Sequence, residues 1–385
     1  MKKNYLKKRI IIFTGNLIEH RAGPHATLKN LVEILAKNSH IKIIGFINKK
    51  RDQYKKNWVL KNTSIIAFKN QFYGHYYHNN LIIFEIFKNL KNTDLFIFNG
   101  VWYIFAPLIC LVLKIFKKKY IIITHGQLNK SANINLIKKF AYFYYINFIL
   151  KNAYFVQLQS PLELKSIYEN KLIKKNNFNF KIIPNAINLY QHQENKESNN
   201  YEYAFYVGRL HPIKDLSFLI EAWSYYNKSL KNCHNIRLII AGDGDEKYKN
   251  FLLKLVEEKK IKNIDFIGKI SEEEKINFIK NAKFTTITSH SEALPTSILE
   301  SLSLGTPVIS TLDIGFNDSC LRRSIIISKK DKVIFSKKIN YIINLDEENY
   351  LNLRSNAFIS SKNLFSKSAI SKLINIHYFN DKQKF

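Results

Sequence analysis

The chain has 385 residues, which is too long for one ordinary domain and sufficient for two. Apolar residues make up 46% of it, including 28 Phe and 22 Tyr, and this composition excludes a chain that is disordered throughout. The formal net charge is +30, of which residues 1–190, with 31 basic and 7 acidic side chains, carry +24. Such a basic first half indicates an anionic partner, or a surface that tolerates the charge.

Short apolar strands alternate with longer helices along the chain. In the first half, strands are predicted at residues 9–14, 41–47, 95–98, 120–124 and 154–158, and helices at 26–37 and 136–150. In the second half, strands are predicted at residues 203–207, 236–241, 264–268, 284–288 and 307–311, with helices beginning at Asp215, Glu246, Ser271 and Thr296. The pair Ser271 and Glu274 has the spacing of a capping box.

This alternation predicts an α/β fold with two Rossmann-like, doubly wound parallel-sheet domains facing each other across a cleft. The first domain is expected at residues 1–190 and the second at 203–365, joined by the polar linker 191–202. A last helical segment, residues 366–385, is expected to pack back on the first domain.

Other segments bear on compartment and membrane insertion. Cys110, Cys233 and Cys320 match no metal-binding or redox spacing, which predicts a reduced, cytoplasmic protein. The basic first nine residues precede an apolar segment too short for a secretory signal. The longest apolar run, residues 101–113, contains Pro107 and is shorter than the roughly 20 residues of a membrane span, so it predicts a buried helix.

Residues 289–311, SHSEALPTSILESLSLGTPVIST, are the most informative segment. Glu292 lies in a loop after a predicted strand, and Thr296 or Ser297 is expected to cap a short helix that carries Glu300 in its second turn. The amino end of such a helix favours an anion, and the two glutamates could flank one ligand. By spacing alone, such a pair is more often a solvated loop acid and an acid that stabilises the helix dipole.

A second segment carries cations. Gly208 and Arg209 end a predicted strand, and Lys214 follows shortly before the next helix. Arginine can grip phosphate oxygens in a bidentate way and lysine adds a point charge, so this loop suits a diphosphate. Alternatively, Arg209 and Lys214 could be ordinary solvent-exposed side chains, since the chain has 60 basic residues. The strand-end position of both segments in one predicted sheet favours a site.

Several motifs together resemble a known family. In the second half they are GRLHPIKDLSFLIEAW, AGDGDEKYKNFL, FIGKISEEEK and SEALPTSILESLSLGTPVI; in the first half they are RAGPHATLKNL, NGVW, THGQL and IPNAI. In this order they resemble the retaining, nucleotide-sugar-dependent glycosyltransferases of family 4, which have the GT-B fold. The resemblance covers nearly the whole chain.

The resemblance implies a role for each matching residue. Arg209 and Lys214 match the pair that neutralises the donor diphosphate, and Glu300 matches the residue that holds the ribose hydroxyls. His125 matches a histidine near the sugar and the acceptor. The remaining matches are Gly208 at the donor, Glu292 beside the transferred sugar, the backbone of Ala293, Leu294 and Thr296 around the phosphates, and Gly23 with Pro24 in a glycine-rich loop on the acceptor side, where Ala22 departs from the family's paired glycines.

The chemistry expected from these matches is electrostatic. Breaking the bond between the anomeric carbon and the phosphate leaves a more negative diphosphate, which Arg209, Lys214 and a helix amino end could stabilise. With those cations we expect no metal and no cofactor, and Asp243 and Asp245, in the AGDG turn, are interpreted as structural or as lying near the base. Retention of anomeric configuration is implied by the resemblance alone.

The expected partners are a nucleotide-sugar donor and an acceptor that is a glycan or is linked to polyprenyl diphosphate, as in O-antigen, capsule or exopolysaccharide synthesis. The basic first half could also hold the enzyme on an anionic membrane surface, with residues 135–150 as a candidate contact or an ordinary buried helix. Two other classes compete. A glycoside hydrolase could use Glu292 and Glu300 but leaves Arg209 and Lys214 without a role. A nucleic-acid-binding protein would suit the charge, yet no nucleic-acid-binding motif is present.

Overall fold

The computed structural model describes residues 7–17, 22–47, 60–70, 79, 81–129, 136–170, 173, 178–190, 203–229 and 236–379. The chain divides into two compact units. Unit 1 contains Met1–Ala186 and Ile370–Phe385, and unit 2 contains Ile187–Ala369. The predicted linker, residues 191–202, lies outside the described residues, as does Cys233.

Unit 1 is built on a parallel sheet whose strands follow the order β3-β2-β1-β4-β5-β6-β7 within the described residues. The strands are β1 (Lys8–Asn16), β2 (Ser39–Ile47), β3 (Thr63–Lys69), β4 (Leu95–Asn99), β5 (Lys119–Ile123), β6 (Phe155–Leu158) and β7 (Phe180–Ile182). The helices are α1 (Ala22–Leu35), α2 (Leu81–Leu90), α3 (Ala106–Ile115), α4 (Leu136–Lys151) and α5 (Pro161–Glu169), and the unit also takes the last helix of the chain, Lys367–Tyr378, from Ile370 onward.

Both faces of the unit 1 sheet are covered, which explains why its inner strands are nearly continuous apolar runs. Alternate residues of β1 enter different cores: Ile11 and Phe13 pack with helices α2 to α5, whereas Ile10 and Ile12 pack with α1 and the last helix. The last helix contributes Ile370, Ile374 and Tyr378 to the second core.

Unit 2 contains a second parallel sheet, with the order β10-β9-β8-β11-β12-β13 in the part of the chain that is described. Its strands are β8 (Tyr203–Val207), β9 (Arg237–Ala241), β10 (Ile264–Gly268), β11 (Phe284–Ile287), β12 (Val308–Ser310) and β13 (Ile325–Ile327). Its helices are α6 (Leu216–Ser229), α7 (Glu246–Glu258), α8 (Glu272–Asn281), α9 (Thr296–Ser303), α10 (Ser319–Ser324), α11 (Lys332–Ile343) and α12 (Glu347–Leu364); the last helix of the chain is α13.

The predicted fold class is confirmed: each unit is a doubly wound parallel sheet. Strands β8 and β10 have the predicted bounds, and Ser271 and Glu274 form the predicted capping box at α8. Strands β3, β7 and β13 were not predicted, because β3 is only partly buried and β7 and β13 have only three residues each.

The prediction of a buried helix at residues 101–113 was wrong in two respects. The helix α3 begins only at Ala106, with Pro107 in its first turn, where a missing N–H costs little. One side of it is buried, but Leu108, Leu111 and Ile115 are exposed. Among the described residues, no helix is long and apolar enough to cross a bilayer.

Candidate active site

The strand order of unit 2 defines a switch point, the place in the sheet where the order of its strands reverses. Strand β8 lies between β9 and β11. From β9 the following strand, β10, is added toward one edge of the sheet, whereas from β11 the strands β12 and β13 are added toward the other edge. In open α/β sheets, ligands bind at this switch point, beyond the carboxyl ends of the strands. The loops that follow β8 and β11 join here: His290 N donates to Ile213 O at 2.8 Å, and Thr288 Oγ1 donates to Lys214 O at 3.0 Å.

Lys214 and Glu292, one from each loop, form an ion pair at the switch point. The Lys214 ammonium donates to Glu292 Oε1, and the same oxygen accepts from Ser289 Oγ at 2.8 Å. Both side chains are partly buried, with 25% of the lysine and 17% of the glutamate exposed. The structure therefore brings together two residues that lie 78 positions apart and that the sequence singled out independently.

Arg209 is exposed, in a loop that is fastened to the turn after β9. Gly208 N donates to Ala241 O at 3.1 Å, and Leu210 N donates to the carbonyl oxygen of Asp243 at 3.0 Å. A Cβ built on Gly242 would stand 1.8 Å from Gly208 O, so only glycine permits this approach. The AGDG motif thus fixes the backbone that carries Arg209.

The two acids of that motif have local partners. Asp245 caps α7 by accepting from Tyr248 N at 2.9 Å, and Asp243 Oδ1 accepts from Gly244 N at 2.8 Å. These contacts support the structural interpretation of the pair.

Asp215 organises the end of the Arg209–Lys214 loop. It has a left-handed φ of 50°, and its carboxylate accepts from Phe218 N in the first turn of α6 at 3.4 Å. Its other oxygen lies 2.6 Å from Lys330 Nζ and 3.3 Å from His290 Nε2. Burial alone would raise the pKa of Asp215, but the hydrogen bond and charge of Lys330 hold it below its ordinary value.

Helix α9 begins at Thr296, one residue after the N-cap Pro295, and no described side chain caps its amino end. The prediction that Thr296 or Ser297 caps the helix was therefore wrong, because both lie inside its first turn. Uncapped backbone N–H groups and the positive end of the helix dipole leave this terminus able to bind an anion. Leu294, just before it, is buried, and Ala293 follows Glu292 in the same loop.

Glu300 lies further along α9 and contacts a different lysine. Its Oε1 is 2.7 Å from Lys275 Nζ of α8, and only 16% of its side chain is exposed. Lys275 also contacts the exposed Glu272 at 2.9 Å. Burial raises the pKa of Glu300, and the charge of Lys275 opposes this rise. Lys275 was missed from the sequence, although it lies in the quoted FIGKISEEEK motif, because no pattern links it to a glutamate on the next helix.

The four motifs of the first half meet in unit 1. They contribute Thr27, Asn99, His125 and Asn185 to the wall of one small cavity. His125 follows β5 with a left-handed φ of 48°, and its Nε2 lies 2.7 Å from Asn99 Oδ1. Because the side chain of Asn99 also donates to Thr14 Oγ1 at 3.3 Å, it links the carboxyl ends of β1, β4 and β5.

Gly23 and Pro24 lie in the first turn of α1, which begins at Ala22. The sequence placed them in a loop before a helix at residue 26, so that boundary was wrong. Proline is well suited to a first helical turn because its missing N–H has no partner there to lose.

The turn that carries His125 is held by a buried carboxylate that sequence reasoning missed. Glu163 of α5 accepts from Thr124 Oγ1 at 2.5 Å and Gly126 N at 2.6 Å, on either side of His125, and from Gln159 N at 2.7 Å. Its exposed fraction is 0%. Burial raises the pKa of Glu163, while these three donors favour its ionised form. Glu163 therefore fixes the backbone on both sides of the histidine.

We expect His125 to make unit 1 sensitive to acid. Burial lowers its pKa to about 4, whereas an unfolded histidine titrates near 6.5. The stabilisation from the neutral ring is therefore complete above pH 6.5 and is lost as the pH falls toward 4. Between pH 8 and pH 5 the free energy of unfolding should drop by about 2 kcal/mol more in the wild type than in His125→Asn, since asparagine tolerates positive φ. Urea unfolding at both pH values measures this difference; equal losses in the two proteins would contradict the lowered pKa.

Comparison with known proteins agrees with this geometry. Residues 190–359, most of unit 2, match the family described as "Glycosyl transferases group 1". The chain is 29% identical over 179 residues to "Uncharacterized glycosyltransferase MJ1059" of Methanocaldococcus jannaschii, a match that covers 42% of each protein. The chain thus spans less than half the length of this curated relative.

Solved structures match over nearly the whole chain. The Anabaena protein Alr3699/HepE, crystallised with UDP and glucose, aligns with a TM-score of 0.71 at 15% identity, covering 96% of this chain and 99% of its own. WaaG, described as a glycosyltransferase involved in lipopolysaccharide biosynthesis, aligns with a TM-score of 0.63 at 13% identity, covering 96% and 100%. The structural matches show the fold, and together with the family match they support a GT-B glycosyltransferase.

Proposed function

We propose that the protein transfers a sugar from a nucleoside-diphosphate sugar to a glycan or lipid-linked acceptor, with retention of anomeric configuration. One observation carries this proposal: the loops after β8 and β11 bring Lys214 and Glu292 into contact at the switch point of unit 2, and the loop that holds Glu292 leads into the uncapped amino end of α9. The match of this unit to the group 1 glycosyltransferases supports the interpretation of that arrangement as a site for a nucleotide-sugar donor.

The diphosphate of the donor would take its charge partners from these elements. Exposed Arg209 can grip phosphate oxygens in a bidentate way, Lys214 supplies a point charge, and the amino end of α9 supplies N–H donors. All three act most strongly when the bond to the anomeric carbon breaks and the diphosphate gains charge. Since these groups balance that charge, we propose that transfer needs no metal ion and no cofactor.

The carboxylates would hold the two ends of the donor. Glu292, already oriented by Lys214 and Ser289, is proposed to accept from hydroxyls of the transferred sugar. Glu300 is proposed to accept from the ribose hydroxyls, with Lys275 fixing the position of its carboxylate. His125 is proposed to act near the transferred sugar, and with Gly23 and Pro24 on the acceptor side.

The donor and the pathway are proposed from the relatives. HepE was crystallised with UDP and glucose, and WaaG acts in lipopolysaccharide biosynthesis, so we propose a UDP-sugar donor and a role in assembly of a surface glycan such as O-antigen, capsule or exopolysaccharide. We place the enzyme in the cytoplasm, on the inner face of the membrane, because a polyprenyl-linked acceptor is anchored there.

A thermal-shift panel tests the donor assignment. The purified protein is heated with UDP-, GDP-, ADP- and CMP-sugars, and a ligand at about 100 times its dissociation constant stabilises the folded state by about 2.7 kcal/mol. We expect the UDP-sugar to raise the melting temperature with EDTA present. No shift with any of the four at millimolar concentration would contradict the proposed function.

Glu300→Ala should abolish most of this shift and most of the transfer activity. Hydrogen bonds to a charged group contribute about 1.5–3 kcal/mol, so the donor dissociation constant should rise by about tenfold to a hundredfold. The fold should survive, because Lys275 keeps Glu272 as a partner. Glu272→Ala is the matched control: it removes the exposed partner of the same lysine and should leave the donor titration, followed by calorimetry, unchanged. Equal donor affinity in Glu300→Ala would remove Glu300 from the site.

A further inference from the structure

Two neighbouring helices of unit 1 carry large apolar side chains on their outer sides. On α2, Leu81, Phe84 and Phe87 are exposed, and Phe84 has 75% of its surface accessible. On α3, Leu108, Leu111 and Ile115 follow one another at helical spacing, and Ile115 is 65% exposed. These six residues are called the α2–α3 apolar face. Single exposed apolar residues are ordinary, but a group of large ones marks an interaction surface.

The two helices present this face to the same side. Both bury their inner residues, such as Ile86 of α2 and Ile109 of α3, in the same core on one face of the sheet. The segments that follow the two helices are in contact, because Lys118 Nζ donates to Lys91 O at 3.1 Å and to Thr93 O at 3.0 Å. The outer sides of both helices therefore face away from the same face of the sheet.

Basic side chains border this surface. Lys88 near the carboxyl end of α2, and Lys114 and Lys117 near the carboxyl end of α3, are exposed. The acid of α2, Glu85, is paired with Lys42 at 2.8 Å, and residues 95–162 contain no acid at all. The surface thus combines large apolar side chains with an excess of basic side chains among the described residues of α2 and α3.

We propose that the α2–α3 apolar face docks on the surface of an anionic lipid bilayer. Its aromatic and aliphatic side chains would enter the boundary between head groups and acyl chains, and the three lysines would contact lipid phosphates. A protein partner could bury the apolar residues, but the lysine border and the lack of acid favour the lipid. The biological purpose of this docking rests on the proposed function, because docking would bring the enzyme to the membrane in which a lipid-linked acceptor is anchored.

The experiment is sedimentation of the full chain with vesicles of phosphatidylcholine, with and without phosphatidylglycerol, at physiological salt. The wild type should bind the anionic vesicles only. Phe84→Ser combined with Ile115→Ser, and separately Lys114→Glu combined with Lys117→Glu, should each lower the partition coefficient by about tenfold or more. Circular dichroism checks the fold of each variant. No donor or acceptor is present, so a failure here leaves the test of donor binding intact.

Two matched controls sharpen the result. Phe251→Ser combined with Leu351→Ser removes two large exposed side chains from unit 2, and this variant should bind vesicles as the wild type does. Tyr144→Ser alters α4, the helix first suspected from the sequence, and should also bind normally. Loss of binding in Tyr144→Ser alone, or unchanged binding in both α2–α3 variants, overturns the proposal. The proposal is also overturned if the wild type self-associates without binding vesicles and the variant Phe84→Ser combined with Ile115→Ser is monomeric.

Discussion

Replacing Lys214 by alanine is expected to lower the turnover number of the proposed sugar transfer by about 10²–10³-fold, the usual cost of losing one electrostatic donor at a developing negative charge. The reason lies in the position of the ammonium group: Lys214 is in the loop after β8 and contacts Glu292, whose own loop leads into the amino end of α9. Because the diphosphate gains charge as it leaves, the lost cation should affect the turnover number more than the binding of the donor. Initial rates at saturating donor measure this effect.

A second ion pair in unit 2 provides the control. Lys332 also contacts a carboxylate, that of Glu221, but 42% of the lysine is exposed. Exposed pairs of this kind contribute about 0–1 kcal/mol to stability, so Lys332→Ala should keep normal activity and nearly normal stability. Near-normal turnover in Lys214→Ala, with a folded protein, would refute the role assigned to this lysine and with it the proposed diphosphate site.

Gly242→Ala is expected to reduce the free energy of unfolding by about 3 kcal/mol or more. Its new methyl group would meet Gly208 O at 1.8 Å, so the loop bearing Arg209 would have to move away from the turn after β9. A φ of 139° at this glycine adds strain for any residue with a Cβ. We also expect transfer to fall at temperatures where the variant is still folded, since Arg209 would be displaced.

Gly268→Ala separates steric crowding from backbone strain. Gly268 also has a positive φ, of 72°, but a Cβ there meets nothing within 4 Å. Its substitution should therefore cost only about 1–2 kcal/mol and leave the transfer rate unchanged. Chemical unfolding of the two variants gives the comparison. If Gly242→Ala were no less stable than Gly268→Ala, the contact between the two turns would not be needed to hold the loop.

The fold was predictable where burial leaves a clear pattern. Strand β8 is apolar throughout and follows a polar segment, and its bounds were predicted correctly. Strand β3 is only partly buried along its length and was missed. The outer side of α3 is as apolar as its inner side, so the sequence could not show that Leu108, Leu111 and Ile115 are exposed.

The part of the candidate site that lies in loops after strands was predictable, because the strand order determines which loops lie at the same edge of the sheet. Lys214 and Glu292 follow two strands of one sheet, and their contact agrees with that expectation. Lys275 and Glu163 were not found, because each acts through a side-chain contact between elements far apart in the chain. Such contacts depend on helix orientation, which no single-sequence pattern records. The catalytic and binding roles of the individual residues stay predictions until the variants are measured.

The division of the chain has a consequence for synthesis on the ribosome. Ile370, Ile374 and Tyr378 complete a core whose other members lie before residue 187. When the nascent chain has emerged as far as residue 186, the core that contains Ile10 and Phe155 therefore still lacks the apolar side chains of the last helix, which has not yet been translated. All of unit 2 is made in the interval, so the first half must remain soluble, by chaperone binding or by its own strong positive charge, until the last helix arrives.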